Sequence, residues 1–238
     1  MEMNRGHRDE GTRPRYLVVD KQPHATVSEQ FRTIRTNIMY SSVNRDIRSV
    51  LFTSDMASAG KSTVAANMAV AYAQAGKKTL LLDADLRRPT SHETFRVDNR
   101  TGLSTLIVND IPLEEVIKAT EFERLDLITS GPIPPNPAEL LSAPKLDSIM
   151  LRLMTHYDMV IIDSPPVLSV TDGQLLSKNA NGVIMVTNVE NNNRERLNEA
   201  KDLLNKAGAN IIGIVLNGRS PEYKKDNQYH YYQEPRAT

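Results

Sequence analysis

The sequence contains no cysteine, and its positive and negative charges balance. Without cysteine, the chain of 238 residues forms no disulfide bonds, which fits a reducing compartment such as the cytosol. Lys and Arg together number 29, as do Asp and Glu, so the net charge is zero. A balanced charge does not favour binding to nucleic acid or to an anionic membrane surface. We therefore expect no nucleic-acid partner.

Long apolar segments are also missing. No apolar run approaches the roughly 20 residues that a membrane-spanning helix needs. The N-terminus, MEMNR, has no apolar region of the kind that a signal peptide needs. We therefore expect a protein without a membrane span, for which any role at a membrane would depend on a partner.

Three segments of the chain differ in composition. Residues 1–25 are polar and predict a flexible arm, with a short extended piece at 16–19. Residues 26–218 carry the apolar patterns of one folded domain. Residues 219–238 are polar and predict a flexible tail. This tail contains four of the eight tyrosines of the chain, namely Tyr223, Tyr229, Tyr231 and Tyr232.

Short apolar runs alternate with helical patterns through the predicted domain. The runs are rich in leucine or β-branched residues and hardly alternate with polar residues, which is typical of strands buried on both faces of a parallel sheet. They cover 49–53, 79–82, 125–129, 159–162, 183–189 and 211–216. Helical segments separate most of them, so the sequence predicts an α/β fold with a doubly wound, mostly parallel sheet flanked by helices.

Residues 54–63 form the most informative stretch. Gly60, Lys61 and Ser62 fit the phosphate-loop pattern G-x-x-x-x-G-K-[ST], although Asp55 occupies the position of the first glycine. A strand precedes the loop and a helix follows it, so backbone N–H groups and the helix N-terminus would form an anion site. Lys61 would then reach phosphates and the Ser62 hydroxyl would bind Mg²⁺. The alternative is a plain strand-to-helix turn with an exposed lysine.

Acidic residues follow two further predicted strands. Asp83 and Asp85 come after one strand, and Asp163 comes after another. If these strands flank the loop strand, the three carboxylates meet at the phosphate site, because ligands bind beyond the carboxyl ends of parallel strands. Mg²⁺ with a polyphosphate uses one or two carboxylates, and another carboxylate could accept a proton from an attacking hydroxyl. The alternative is that these aspartates only cap turns.

Two other features favour a structural explanation when only the residues are considered. Glu29, Arg32 and Arg35 form a charged ridge on a predicted helix that begins at Thr26, and such a ridge is typical of a solvated face. Asn217 and Gly218 end the last strand and form a common turn dipeptide.

Taken in order, the motifs resemble those of the bacterial tyrosine kinases, a family in the Min/Par-like branch of the P-loop ATPases. Besides the loop at 54–63, residues 80–87 (LLLDADLR) match the second, A′ motif and residues 160–165 (VIIDSP) match the Walker B motif. The resemblance extends over about residues 26–238 and includes the cytoplasmic kinases of Gram-positive capsule and exopolysaccharide operons.

This resemblance implies a site for ATP and Mg²⁺. Asp83 would be the base for the acceptor tyrosine, with Lys61 and Asp85 completing the catalytic set. The metal would be held by Ser62, Asp85 and Asp163. The nucleotide would contact Ala57, Ser58, Ala59, Gly60, Lys61, Ser62, Thr63 and Asn217.

The resemblance also implies partners and a location. Glu29, Arg32 and Arg35 match an element that joins subunits into a homo-oligomeric ring, and the tail tyrosines would be autophosphorylated in trans. Protein tyrosines would be substrates. A membrane-anchored activator protein would supply a cytoplasmic segment and recruit the otherwise cytoplasmic kinase to the inner face of the membrane. The activity would regulate capsular or exopolysaccharide synthesis.

The sequence departs from the family at the loop. Ala57 and Ser58 stand where the usual pattern has Pro-Gly, and Ser58 restricts a backbone that glycine leaves free. Met56 occupies the position of an additional lysine in Min/Par ATPases. Two alternatives stay open, a Min/Par-type ATPase and a nucleotide-binding scaffold with weak catalysis.

Overall fold

The computed structural model describes residues 15–41, 46–109, 111–191 and 193–218. Its helices are α1 (Val18–Lys21), α2 (Thr26–Ser41), α3 (Lys61–Gln74), α4 (Ser91–Phe95), α5 (Leu103–Val108), α6 (Pro137–Leu141), α7 (Pro144–His156), α8 (Asp172–Ser177) and α9 (Arg194–Lys206). Its strands are β1 (Ser49–Ser54), β2 (Thr79–Asp83), β3 (Ile117–Ala119), β4 (Leu125–Ile128), β5 (Met159–Asp163), β6 (Gly182–Asn188) and β7 (Ile211–Asn217).

The strands form one sheet in the order β3-β4-β2-β5-β1-β6-β7. All neighbouring pairs are parallel except β3 with β4, which is antiparallel. The predicted α/β fold with a mostly parallel sheet is confirmed, and each of the six predicted runs is a strand. The short edge strand β3 was not predicted, because three residues are too few to show a pattern.

Helices cover both faces of the sheet and enclose two apolar cores. Leu51 packs in the core beneath α5 to α9, whereas its neighbour Phe52 packs in the core beneath α1 to α3. Strands β1, β2 and β5 are buried at every residue. Because both faces are covered, the central strands have no polar face, which explains why their sequences do not alternate.

Helix α3 lies against the centre of the sheet and is buried continuously from Val64 to Ala73. Five of these ten positions are alanine, and their small side chains let the helix approach the strands closely. Even so, in the described parts of the chain neither α3 nor any other helix combines the length and the apolar character needed to cross a bilayer.

The described part of the predicted N-terminal arm is packed onto the domain. Residues 18–21 are helical, so the predicted extended piece at 16–19 is wrong. Leu17 and Val19 are buried, and the side chain of Asn67 on α3 accepts a hydrogen bond from the Val19 N–H and donates one to the Tyr16 carbonyl. The prediction of a flexible arm is therefore wrong for residues 15–25, because this contact with α3 orders them. The first 14 residues and the predicted tail from 219, with its four tyrosines, lie outside the described residues.

Candidate nucleotide-binding site

The loop at 54–63 joins β1 to α3 as predicted. Gly60 precedes the first residue of α3 and has a φ of 93°, a value in the left-handed region that favours glycine. A Cβ added at Gly60 would lie 1.9 Å from the side-chain Nδ2 of Asn217. Glycine is therefore required here both by the backbone angle and by the close approach of Asn217.

Lys61 lies among carboxylates and is nearly buried. Its Nζ is 2.9 Å from Asp85 Oδ2, 3.5 Å from Asp163 Oδ1 and 3.1 Å from Ser62 Oγ. Burial lowers the pKa of Lys61, but the negative charges of Asp163 and Asp85 outweigh burial and raise it. The ammonium group is thus held in its charged form, and the alternative of a turn with an exposed lysine is wrong.

The three predicted carboxylates converge on Lys61 from the carboxyl ends of two strands. Asp83 and Asp163 are paired neighbours in the register of β2 and β5. The condition that both strands flank β1 is met only by β5, because β2 lies one strand further out. The acids still meet, since the turn after β2 carries Asp85 back towards the loop as far as Lys61.

Asp83 is fully buried at the back of this cluster. Its carboxylate accepts hydrogen bonds from the backbone N–H groups of Ser91 at 3.0 Å, Thr90 at 3.3 Å and Asp85 at 3.3 Å. Burial, together with the nearby charge of Asp163, raises the pKa of Asp83 to about 7. Burial also raises the pKa of Asp163, although Lys61 opposes this rise.

The oxygen donors of the cluster suit a hard cation. The Ser62 hydroxyl and the carboxylates of Asp85 and Asp163 are the type of ligand that Mg²⁺ prefers. Within the described ranges, no three Asp, Glu, His or Cys side chains are arranged to hold a metal by themselves. A metal at this site would therefore depend on Ser62 and on phosphate oxygens as well as on the two aspartates.

Asn217 lies against the loop. Its side-chain Nδ2 donates a hydrogen bond to the Ala59 carbonyl at 3.0 Å, and its backbone carbonyl accepts one from the Val189 N–H at 2.8 Å. From the residues alone, Asn217 and Gly218 were interpreted as a plain turn. That interpretation did not include this contact, because it joins positions far apart in the chain. The end of β7 is thereby fixed beside the phosphate loop.

The charged ridge on α2 is partly used within the chain. Arg32 forms an ion pair with Glu29 and donates a hydrogen bond to the Pro23 carbonyl at 2.7 Å. Arg35 donates to the Ala71 carbonyl in the last turn of α3 at 2.6 Å. These contacts attach α2 to its surroundings, and the implied role of the ridge in a ring stays a prediction.

Two ion pairs at the site escaped prediction, because their partners are distant in sequence. Arg87, the last residue of the A′ motif, binds Asp172 through two hydrogen bonds. Asp55 is buried and faces Arg196 of α9, with 4.0 Å between Oδ2 and Nε. Among the described residues, the Asp55 carboxylate has no hydrogen-bond partner.

Replacing Ser58 by glycine is expected to relieve strain in the loop. Ser58 has a φ of 62°, as the departure from the family pattern suggested. A residue with a Cβ pays about 1–2 kcal/mol in this region. We expect the Ser58→Gly variant to unfold at higher urea, because glycine removes this cost. We also expect it to bind ATP roughly fivefold more tightly, the equivalent of about 1 kcal/mol, because glycine lets the phosphates approach the backbone closely. Isothermal calorimetry measures the gain.

The neighbouring Ala57→Gly variant is the matched control. Ala57 is not among the residues with positive φ, so glycine there only adds freedom to the unfolded chain and is expected to cost about 0.5–1 kcal/mol of stability. An unchanged urea midpoint in the Ser58→Gly variant would contradict the strain argument, and an unchanged ATP affinity would contradict the view that Ser58 restricts the approach of the phosphates.

A phosphate loop at the head of a buried helix, with carboxylates at the ends of neighbouring parallel strands, defines a P-loop nucleotide-binding protein. The family model for an AAA domain matches residues 48–207. The chain is 44% identical to CapB of Staphylococcus aureus over 218 residues, which covers 92% of this chain and 95% of CapB. It is 42% identical to the tyrosine-protein kinase YwqD of Bacillus subtilis, with 96% of this chain and 94% of YwqD covered. The chain belongs to the family of bacterial tyrosine kinases.

A solved structure supports the same conclusion. The chimerical protein CapA2B2 matches with a TM-score of 0.81 and 46% sequence identity, over 86% of this chain and 91% of that one. The resemblance stated from the motifs is therefore confirmed. The roles of individual residues stay predictions.

Proposed function

We propose that the chain is an ATP-dependent protein-tyrosine kinase that phosphorylates its own C-terminal tyrosines in trans. The observation that carries the proposal is the position of Lys61, which lies at the head of α3 between Asp85 and Asp163. Membership of the tyrosine-kinase family gives the class of acceptor. The same arrangement of loop, lysine and acids suits a nucleotide with Mg²⁺.

ATP would bind along the loop and extend towards the end of β7. The phosphates would meet the backbone N–H groups of the loop and the ammonium of Lys61, which has three donors and can keep one carboxylate partner. The residues assigned to the nucleotide are Ala57, Ser58, Ala59, Gly60, Lys61, Ser62, Thr63 and Asn217. Mg²⁺, held by Ser62, Asp85 and Asp163, would neutralise charge on the phosphates.

Asp83 would accept the proton of the acceptor tyrosine. A general base works best when its pKa lies near the operating pH, and that of Asp83 is raised to about 7. The carboxylate has no exposed surface, and backbone N–H groups of Thr90 and Ser91 enclose it. An incoming tyrosine therefore reaches Asp83 only after the turn 83–91 shifts.

The acceptor tyrosines would be Tyr223, Tyr229, Tyr231 and Tyr232. The chain enters this tail from the end of β7, which contacts the phosphate loop through Asn217 and Ala59. The tail therefore begins at the edge of the sheet where a site of this class acts. Each added phosphate would bring a charge of about −1.5 to −2 at neutral pH.

The proposed assembly and regulation rest on the resemblance to the family. We propose that Glu29, Arg32 and Arg35 on α2 join copies of the chain into a ring, in which each tail enters a neighbouring site. A membrane-anchored activator would supply a cytoplasmic segment and hold the kinase at the inner face of the membrane. Capsular or exopolysaccharide synthesis would be the regulated process.

Incubation of the full chain with labelled ATP, Mg²⁺ and the activator segment tests the proposed activity. We expect label on the four tail tyrosines, and loss of label when all four are replaced by phenylalanine. The Lys61→Met and Asp83→Ala variants serve as inactive controls. Release of free phosphate without labelled protein would instead support a Min/Par-type ATPase, and nucleotide binding without turnover would support a scaffold.

A mixing experiment tests transfer between chains. The Lys61→Met chain keeps its tyrosines but lacks the phosphate-binding cation, and a chain with four tail Tyr→Phe changes keeps its site but lacks acceptors. We expect label on the Lys61→Met chain when the two are mixed. No label in the mixture, with full label in the wild type, would show transfer within one chain.

Light scattering on the unlabelled chain measures the mass of the proposed ring, and a monomeric mass would contradict the ring.

A further inference from the structure

Arg87 forms a bidentate ion pair that the proposed activity does not use. Its Nε lies 2.8 Å from Asp172 Oδ2, and its Nη2 lies 3.0 Å from Asp172 Oδ1. Asp172 is fully buried, whereas the Arg87 side chain is 37% exposed. Parallel hydrogen bonds between a guanidinium and a carboxylate fix both distance and orientation, so this pair is a geometric constraint as well as an attraction.

Asp172 lies at the start of α8, which is packed against the end of β1. It is the first residue of α8, and the next residue, Gly173, is buried against the end of β1 and the segment that follows β5. A Cβ added at Gly173 would lie 3.2 Å from Thr53 Oγ1 and 3.5 Å from the Pro165 carbonyl oxygen. The Thr53 hydroxyl itself donates to the Pro165 carbonyl at 2.9 Å. The start of α8 is thus held against the strand that leads into the phosphate loop.

Arg87 belongs to the turn that carries the acids. Within this turn, Arg88 N–H donates to Asp85 Oδ1 at 3.0 Å, and Ser91 N–H donates to Asp83 at 3.0 Å. These local hydrogen bonds shape the turn but attach it only to itself. The pair of Arg87 with Asp172 attaches the turn to α8, and α8 is in turn held against the end of β1 that leads into the phosphate loop.

We propose that Arg87 and Asp172 are positioning residues of the site, whose ion pair holds the turn 83–91 on α8 and keeps the Asp85 carboxylate in place for the metal and Lys61. The inference rests on the proposed function for the identity of the ligand, a nucleotide with Mg²⁺. A lysine at position 87 would keep the charge but lose the two-pronged geometry. The sensitive property is therefore the geometry of the pair, which affects how well Asp85 binds a metal.

The test uses the full chain and the Mg²⁺ dependence of binding of a fluorescent ADP analogue. Changes beyond the direct ligands typically weaken metal binding by about 10-fold to 100-fold. We expect the Arg87→Lys variant to need about tenfold more Mg²⁺ for half-maximal binding, and Arg87→Gln and Asp172→Asn to need more still. At saturating Mg²⁺, each variant is expected to bind the nucleotide as the wild type does. The double variant with Arg87→Gln and Asp172→Asn is expected to need no more Mg²⁺ for half-maximal binding than the more strongly affected of the two single variants, because the two residues act as one unit.

Arg152→Gln is the matched control. Arg152 lies on α7 and pairs with Glu114 at 3.3 Å, but both side chains are more than half exposed. This variant is expected to keep the wild-type Mg²⁺ midpoint. Thermal unfolding of every variant shows whether a shift in midpoint accompanies a loss of fold. Should Arg87→Gln or Asp172→Asn not fold, Arg87→Lys alone decides.

A wild-type Mg²⁺ midpoint in Arg87→Lys would overturn the inference. So would a lower nucleotide affinity that saturating Mg²⁺ does not restore, because the pair would then act on the fold rather than on the metal. If the wild type binds the analogue but labels no tyrosine, the proposed kinase activity fails and the positioning role stands. If the wild type labels its tail and the variants match its Mg²⁺ dependence, the positioning role fails and the activity stands.

Discussion

Replacing Lys61 by methionine is expected to lower label transfer from ATP by about 10²–10³-fold, the usual loss when one preorganised charge at a reacting group is removed. Lys61 Nζ is the cation at the centre of the site, with Asp85 at 2.9 Å and Asp163 at 3.5 Å. Methionine has a similar length but no charge, so the phosphates would face the acids without compensation. Label incorporation under saturating ATP and Mg²⁺ gives the measurement.

The same variant is expected to lose stability in a pH-dependent way. The Asp85 and Asp163 side chains are 6% and 2% exposed, and loss of one partner from a buried ion pair typically costs about 3–5 kcal/mol. Without Lys61, the pKa of Asp163 rises further, because burial and the neighbouring charge of Asp85 are then no longer opposed by the ammonium group. Protonation at low pH removes the repulsion, so the loss is largest near pH 8 and shrinks towards pH 5.

Urea unfolding at the two pH values measures this change. Lys201→Met is the control, since Lys201 is exposed on α9 and its removal is expected to alter the free energy of unfolding by less than about 0.5 kcal/mol at either pH. A Lys61→Met variant that is equally destabilised at pH 5 and pH 8 would contradict the view that Lys61 neutralises buried acids. Preserved label transfer would contradict its role at the phosphates.

The parts of the fold that were predicted correctly are those whose sequence pattern reflects burial. Strands such as β1 and β5 are buried at every residue, and their continuous apolar runs predict this burial. Strand β3 has three residues with partly exposed side chains, so it leaves no such pattern. Helix α1 was missed because its order comes from α3, where Asn67 supplies the polar partner for Val19.

The residues of the candidate site also fall into two groups, those that the sequence predicted and those that it did not. The loop at 54–63 and the acids at 83, 85 and 163 follow strand ends within short motifs, so a local reading of the chain finds them. The contacts of Arg87 with Asp172, of Asp55 with Arg196 and of Asn217 with Ala59 join residues that are close only in the folded chain. Their side chains carry no local signal, because each would serve equally well at a turn or on a solvated helix face.

Replacing Asp83 by asparagine is expected to separate catalysis from nucleotide binding. Removal of a general base typically costs about 10²–10⁴-fold in rate. Asparagine has nearly the same shape and accepts hydrogen bonds through its carbonyl, but it cannot accept the proton of a tyrosine. We therefore expect label transfer to fall by that factor while the fluorescent ADP analogue binds as in the wild type. Transfer at the wild-type rate would show that Asp83 is not the base.

Stability against pH provides an independent measurement of the same residue. The pKa of Asp83 is about 7 in the folded chain, against a usual value of 3.8. Between these values the folded state holds a proton that the unfolded state has released, so the free energy of unfolding falls as pH rises from about 4 to about 7 and is then level. A shift of this size corresponds to at most about 4 kcal/mol, at 1.36 kcal/mol per pH unit.

The Asp83→Asn variant is expected to lose most of this slope, because an amide does not titrate. Three backbone N–H groups point at the carboxylate, and the asparagine NH₂ group cannot accept hydrogen bonds from them. At pH 8 the free energy of unfolding of the variant therefore exceeds that of the wild type by less than the full pKa shift implies. Asp147→Asn, an exposed change on α7, is the control and is expected to keep the wild-type slope. An unchanged slope in Asp83→Asn would place the raised pKa on Asp163 instead, since burial and the neighbouring acid act on both carboxyls.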